Sequence, residues 1–259
     1  MSDSTSLLVK LRGLTIETAE RTLIRGVDVD VYAQAVTALC GPSGSGKSLT
    51  ARAIMCVLDV DPGIVSGSLV YPAIDSNKNW FAEVCGKGPR AQSQLLEASR
   101  YLRGSFVTYS PQSASSALNP GRTVGRQLEL AILRRQQPPK DNAEMGLEIA
   151  RILAEVGLKP SVASALPSEL SGGMCQRAAL AIAIAPQPQL VIADEPETGL
   201  DPILRRGVIE LLIRVVRQNG AGLLLISHHE DTVARIADHI VRLKITGDAP
   251  PEQLEGQHG

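Results

Sequence analysis

The feature that most constrains this 259-residue chain is the run AVTALCGPSGSGKSLTARAIMCVL, residues 35–58. An apolar segment of strand type enters a glycine-rich loop, and apolar residues at helical spacing leave it. The pattern Gly41-x-x-x-x-Gly46-Lys47-Ser48, set between strand and helix, is that of a phosphate-binding loop. Such glycines free backbone N–H groups to wrap phosphate oxygens, Lys47 offsets their charge, and Ser48 can hold Mg²⁺. Gly41, Pro42, Ser43, Gly44, Ser45, Gly46, Lys47, Ser48 and Leu49 are therefore the first candidate ligand-contacting residues.

The rest of the chain supplies matching architecture. LLVKLRGLTI and GVDVDVYAQAVTALC alternate apolar and polar residues and read as strands of a partly exposed sheet. DVDPGIVSGSLVYPA and NKNWFAEVCGKGP are rich in turn formers and read as a small sheet and a loop insertion. A helix is expected over RAQSQLLEASRYLRG, a strand over SFVTYS, and helices near Val124–Arg135 and Ala143–Val156. QLVIAD and GLLLISH are apolar strands covered on both faces, with the helix PILRRGVIELLIRVVRQNG between them and a short strand HIVRLKI after them. Strands alternating with helices around a phosphate loop predict an α/β domain with a mostly parallel sheet.

Three further groups carry chemistry. Asp194 ends the buried strand LVIAD, where it can bind Mg²⁺ through water, and Glu195 beside it is placed to orient and activate an attacking water. Two adjacent acids after a strand are commonly solvated loop residues; beside a phosphate loop they complete a nucleotide site. His228 ends the strand LLLIS, from which an imidazole can donate to phosphate, and the residues alone do not separate it from His229. Gln112 sits on the loop after FVTYSP, where taken alone it reads as a surface residue. A second glycine turn, LSGGMCQR, runs into the helix QRAALAIAIA and bares N–H groups at a helix N-terminus.

LSGGMCQR followed by LVIADEP, ETGLD and LLLISHH resembles the nucleotide-binding subunit of ABC transporters, with motifs in family order from about Val9 to Leu243. The resemblance implies a P-loop NTPase core with an N-terminal antiparallel β subdomain and a helical subdomain bearing LSGGMCQR. It frames the chain as a single ATPase domain, with residues 7–110 and 186–245 as core and 113–185 as helical subdomain. It implies ATP and Mg²⁺ as ligands, Gln112 as the residue that senses Mg²⁺ and touches a membrane partner, Asp201 as the D-loop aspartate, counted with the cofactor-binding residues, and His228 over His229 as the switch histidine. It also implies that two such subunits pack head to tail. Ser171, Gly172, Gly173 and Gln176 of one would then complete the ATP site on the other's phosphate loop, and ATP would act as glue that hydrolysis releases.

SSALNPGRTVG after Gln112, YLRG before it and GSGKSLTARAIM resemble the peptide/nickel importer branch. With Gly259 as last residue the chain has no long cysteine-bearing C-terminal extension, which favours the nickel or metal-chelate type. The partners implied are a second, like or unlike, ATPase subunit, membrane permeases and, indirectly, an extracytoplasmic binding protein, with the chain peripheral on the cytoplasmic face of the cell membrane. A non-transport ABC ATPase, such as a subunit of a phosphonate-degrading complex, is the alternative. Three positions depart from the family pattern: no aromatic lies near Thr18, where one stacks on adenine in many members; Glu197 replaces a usual threonine; and Met174-Cys175 replace a smaller or glutamine-containing pair.

Composition sets the exclusions. A net charge of −1 gives no bulk electrostatic case for nucleic acid, and 3% aromatic residues argue against a base-stacking platform for single strands. Cys40, Cys56, Cys85 and Cys175 show no Cys-x-x-Cys spacing and read as reduced thiols. MSDSTSLLVK lacks the apolar centre of a signal peptide, and no apolar run is long enough to span a bilayer.

Overall fold

The computed structural model describes residues 6–112, 117–198 and 202–245, without the side chains of 202–205. The chain forms two compact units, one running to Arg103 and resuming at Gly222, the other Gly104–Ala221.

The first unit opens with two long strands, β1 (Leu7–Thr18) and β2 (Thr22–Tyr32), paired antiparallel. β4 (Pro62–Val70) pairs antiparallel on the other side of β1, giving the order β2-β1-β4. The expected small sheet around residue 65 is thus the third strand of the N-terminal sheet. Leu11, Leu14, Ile16, Ile24, Val29, Ile64 and Leu69 are buried along these strands and supply the hydrophobic drive for the pairing. The alternating stretch 26–40 divides in two. Its first part is β2; its second is β3 (Val36–Cys40), buried throughout as a strand covered on both faces must be.

β3 lies parallel to β7 (Gly222–Ile226) on one side and to β8 (His239–Arg242) on the other. α1 (Lys47–Ile54) follows the glycine loop, and α2 (Gly88–Ala98) follows the insertion. That insertion is more than a surface loop: Trp80, Phe81 and Val84 are buried in it, with Lys78 Nζ 3.7 Å from the Trp80 ring centroid. The short helix α7 (Glu230–Ile236) sits between β7 and β8, and its seven residues give no readable period in the sequence.

The second unit holds the parallel pair β5 (Val107–Ser110) and β6 (Leu190–Asp194) with α3 (Val124–Ile132), α4 (Asn142–Glu155), α5 (Gly172–Ile184) and α6 (Pro202–Gln218). Thr123 and Asp141 cap α3 and α4 by accepting from Arg126 N and Glu144 N, which fixes where both helices begin. α3 ends three residues short of the expected Arg135. Arg135 instead turns back, donating to Ala185 O at 2.6 Å and to Glu148 at 2.6 Å. The architecture is α/β, with a phosphate-loop core of parallel strands, an antiparallel N-terminal sheet and a helical region. No helix among the described residues is long and apolar enough to cross a membrane.

Candidate active site

In the first unit, the loop Gly41–Ser48 leaves the C-terminal end of β3 through glycines that no other residue replaces comfortably. Gly41 has φ +146°, and a Cβ there would collide with the Leu243 carbonyl oxygen and approach Ser45 Oγ to 2.8 Å. Gly46, at φ +92°, precedes α1, and its Cβ would lie 2.6 Å from Ile24 Cγ1. Positive φ is open to glycine at no steric cost, so this backbone can curl into a nest of N–H groups. Lys47 is buried, and its ammonium donates to Gly41 O at 2.8 Å and Pro42 O at 3.0 Å. Pro42, Ser43, Gly44 and Ser48 are exposed, Leu49 is half-buried, and Ser45 Oγ is buried without a hydrogen-bond partner.

His228 stands at the same sheet end. Leu39 is in register with Ile226, so His228 lies two residues beyond β7 as Gly41 lies two beyond Leu39. The His228 ring is exposed and packs on His229 with centroids 4.0 Å apart, and Ser227 Oγ accepts from His229 N at 3.1 Å.

In the second unit, Asp194 ends β6 with its side chain buried, and its Oδ2 accepts from Tyr109 OH at 2.8 Å. The parallel register that sets Tyr109 beside Ile192 brings this hydroxyl within reach. Glu195 follows in the left-handed region, φ +45°, a conformation that costs a non-glycine residue about 1–2 kcal/mol. Such strain concentrates at working sites. Its Oε2 accepts from Gln112 Nε2 at 3.0 Å and from Thr198 Oγ1 at 3.2 Å. The structure therefore brings Gln112 and Glu195 together, two residues that the sequence names on separate motifs. Glu197 is buried, so the extra carboxylate of this chain is carried inward.

LSGGMCQR forms the start of α5. Ser171 caps it by accepting from Met174 N at 3.3 Å, and a Cβ on Gly172 or Gly173 would meet nothing within 4 Å. Gly172 is exposed and Gly173 half-buried at the positive end of the helix dipole, with Met174 N taken up by the cap. Gln176, one turn on, donates to Pro196 O at 2.9 Å and so ties the signature helix to the segment bearing Glu195. Gln112 and Gln176 line one pocket with Ser110, Pro111, Pro196 and Leu212. Asp201 lies outside the described residues.

Tyr109 and Thr198 were not singled out from the sequence. A hydroxyl-bearing ring near the end of an apolar strand, and a threonine three residues beyond an acid, are the signals available, and both are weak without the register.

The residues present fit a magnesium–triphosphate ligand. The nest, the ammonium and the unpartnered Ser45 hydroxyl suit phosphate oxygens. Among the described residues no three His, Cys, Asp or Glu side chains form a cluster. A divalent ion at Ser48 or Asp194 would thus share its shell with ligand oxygens and water, the habit of Mg²⁺ rather than of a caged metal.

The fold and the loop define a P-loop ATPase-type cassette. The family model described as ABC transporter matches residues 24–198, two-thirds of the chain, and the chain belongs to that family. The oligopeptide transport ATP-binding protein OppD of Lactococcus lactis subsp. cremoris (strain SK11) is 33% identical over 219 residues, covering 84% of this chain and 60% of that protein. The dipeptide transport ATP-binding protein DppD of Bacillus subtilis (strain 168) is 33% identical over 221 residues, covering 84% and 61%. The chain thus spans about 60% of the length of these relatives. The dimeric structure of MJ0796, a bacterial ABC transporter cassette, superimposes with a TM-score of 0.72 at 22% identity over 96% of this chain and all of that one, a likeness of fold.

Proposed function

We propose that this protein is the ATP-hydrolysing subunit of an importer, energising passage of a di- or oligopeptide through a membrane permease. The observation that carries the reading is the arrangement around Glu195: a carboxylate held by Gln112 and Thr198, directly after a buried Asp194 that Tyr109 fixes. Of the two cargo classes expected from the sequence, nickel or metal chelate and di- or oligopeptide, the relatives named above, oligopeptide and dipeptide transport proteins, support the second and not the first.

In this reading the N–H groups of Gly41–Ser48 and the Lys47 ammonium bind the β- and γ-phosphates, with Leu49 at the edge of the loop. Ser48, Asp194 and Gln112 would hold Mg²⁺, whose charge would offset that of the phosphate oxygens. Glu195 takes the proton of the attacking water, its carboxylate oriented by the two bonds to Oε2. His228 donates to the γ-phosphate and steadies the water. Ser171, Gly172, Gly173 and Gln176, with Asp201, serve the nucleotide of a second ATPase subunit, so nucleotide binding favours association and hydrolysis reverses it. Residues 7–110 and 186–245 act as nucleotide-binding core and 113–185 as helical subdomain. The chain works at the cytoplasmic face of the membrane, with permease subunits as direct partners and an extracytoplasmic binding protein as an indirect one.

The experiment is affinity purification from detergent-solubilised membranes, with identification of what accompanies the chain. A permease and an ATP-dependent second cassette are expected; recovery of the chain without any integral membrane protein refutes the transport reading. Ser171→Arg should leave nucleotide binding to Gly41–Ser48 intact and abolish ATP-dependent association of cassettes. Loss of binding by the isolated chain would count against the shared site.

A further inference from the structure

The phosphate end and the base end of this site are built differently, and the inference rests on reading Gly41–Ser48 as a nucleoside triphosphate site. β2 runs against that loop: Ile24 Cγ1 sits 2.6 Å from where a Gly46 Cβ would be, and Leu23 O at 3.5 Å. Thr22 pairs with Glu17 across the hairpin, two residues from Ile24, so the turn Thr18–Arg21 begins about 7 Å along the strand from the loop. A base attached to phosphates at the loop therefore has this turn as a neighbour.

The turn is closed on itself. Thr18 Oγ1 accepts from Glu20 N at 3.3 Å and Arg21 N at 3.1 Å, Thr18 N donates to Arg21 O at 2.9 Å, and Glu17 accepts from Thr22 Oγ1 at 3.1 Å. Its hydroxyl and the backbone N–H groups of Thr18, Glu20 and Arg21 are bonded within the turn, and none of its side chains carries an aromatic ring.

The rings of this chain are few, and each is placed elsewhere. Its aromatic residues are one tryptophan, four tyrosines and two phenylalanines. Tyr32 stacks on His239 at 4.7 Å, and His239 pairs with Thr37 near the start of β3, whereas the loop leaves that strand's other end. Tyr71 bonds Ile54 O at the far end of α1 and clusters with Trp80, which in turn packs on Tyr101. Along β1, Val70 faces Lys10 while Pro62 faces Thr18, so Tyr71, nine residues from Pro62, lies about 30 Å along the strand from the turn. Phe81 is fully buried; in the second unit Phe106 is buried and the Tyr109 hydroxyl is on Asp194.

From this we infer that the site reads the triphosphate and leaves the base nearly unread. ATP, GTP, CTP, UTP and inorganic triphosphate are all ligands of comparable affinity. Losing a stacking aromatic costs about fivefold to a hundredfold in affinity per base. Discrimination by hydrogen bonds needs buried donors or acceptors aimed at the base; here the Thr18 hydroxyl and the turn's N–H groups bond within the turn, and the Glu20 and Arg21 side chains are exposed.

The test is equilibrium competition on the full chain with Mg²⁺, displacing a fluorescent ATP analogue with ATP, CTP and inorganic triphosphate. Inhibition constants within about threefold are expected; ATP tighter than both by about tenfold or more overturns the inference. Lys47→Ala should weaken all three ligands alike. If nothing binds the unmodified chain, or Lys47→Ala binds as well as wild type, the nucleotide site itself is refuted and the inference falls with it. An ATP preference that remains sensitive to Lys47 sinks the base inference alone. Thr18→Tyr, or Arg21→Trp which keeps the Thr18 cap, should tighten ATP about fivefold or more without affecting inorganic triphosphate. If neither variant changes that ratio, the turn does not neighbour the base and the inference is wrong.

Discussion

Glu195→Gln isolates basicity from geometry in the proposed site. The side chain keeps its length, and its amide oxygen has two lone pairs with which to accept from Gln112 Nε2 and Thr198 Oγ1, now 3.0 and 3.2 Å from the carboxylate. The backbone at φ +45° costs a glutamine as much as a glutamate, so that strain is unchanged. Two partly exposed charge-assisted bonds become neutral ones, which should alter stability by no more than about 0.5 kcal/mol. What is lost is a group able to take a proton from water, worth about 10²- to 10⁴-fold in rate, or roughly 3–5 kcal/mol of barrier. Phosphate release at saturating ATP should fall by that factor, with the melting temperature and ATP affinity unchanged, and ATP-dependent dimers should accumulate. Turnover within about threefold of wild type, in a variant that melts normally, would refute Glu195 as the base.

Tyr109→Phe removes the hydroxyl that fixes Asp194 at 2.8 Å. It should destabilise by about 1–3 kcal/mol and raise the Mg²⁺ concentration for half-maximal phosphate release about tenfold, read by melting and by Mg²⁺ titration. Gly41→Ala drives a Cβ into the Leu243 carbonyl and should abolish nucleotide binding. Gly44→Ala, with nothing within 4 Å, should pay only the left-handed backbone cost of about 1–2 kcal/mol, and equal losses in calorimetric titrations would contradict the packing argument. Glu148 is pushed down to about 2, chiefly by its hydrogen bond from Arg151 and then, against the opposing effect of burial, by Arg135. A carboxylate depressed from 4.5 stabilises the fold above that pH and loses its contribution as pH falls toward 2. Denaturant unfolding should therefore show Glu148→Gln weaker than wild type by about 1–3 kcal/mol at pH 6–7 and the gap closing below pH 4.5; a gap constant down to pH 2.5 would refute the linkage.

What could be read from the sequence was whatever depends on neighbours in the chain. The strand–loop–helix around Gly41–Ser48 was legible because each step is a local preference: apolar run, glycines, then helical spacing. The glycine turn running into a helix at Ser171–Gly173 was legible for the same reason, but the cap that the Ser171 hydroxyl makes by accepting from Met174 N was not. The alternation over residues 26–40 was legible as strand, but not that it changes sheet at Ala33–Ala35, because a strand covered on both faces and one covered on one differ only in their surroundings. Trp80 and Phe81 sit among turn formers, yet both are buried: Trp80 N donates to Leu69 O near the end of β4 and its ring packs edge-on against Tyr71, contacts that no local pattern names.

The same division explains why the site was read as motifs while its working contacts were not. Tyr109 reaches Asp194 across 85 residues of sequence, and Gln112 reaches Glu195 across 83. Both pairs exist because β5 and β6 run parallel in a register that sets Ser110 beside Ala193. A shift of one residue would turn the Tyr109 side chain to the other face. Register, in turn, is enforced by burial of Val107, Leu190, Val191 and Ile192, residues with no chemistry of their own. The acids therefore owe their geometry to apolar neighbours, and large-to-small changes in β6 should impair hydrolysis at a distance. Ile192→Ala, which removes only apolar atoms, is expected to cost about 2–5 kcal/mol of stability. Its phosphate release should fall more steeply than its ATP binding, because the phosphate loop is built from β3 and the acids from β6. A parallel fall in both would mean that the variant merely unfolds.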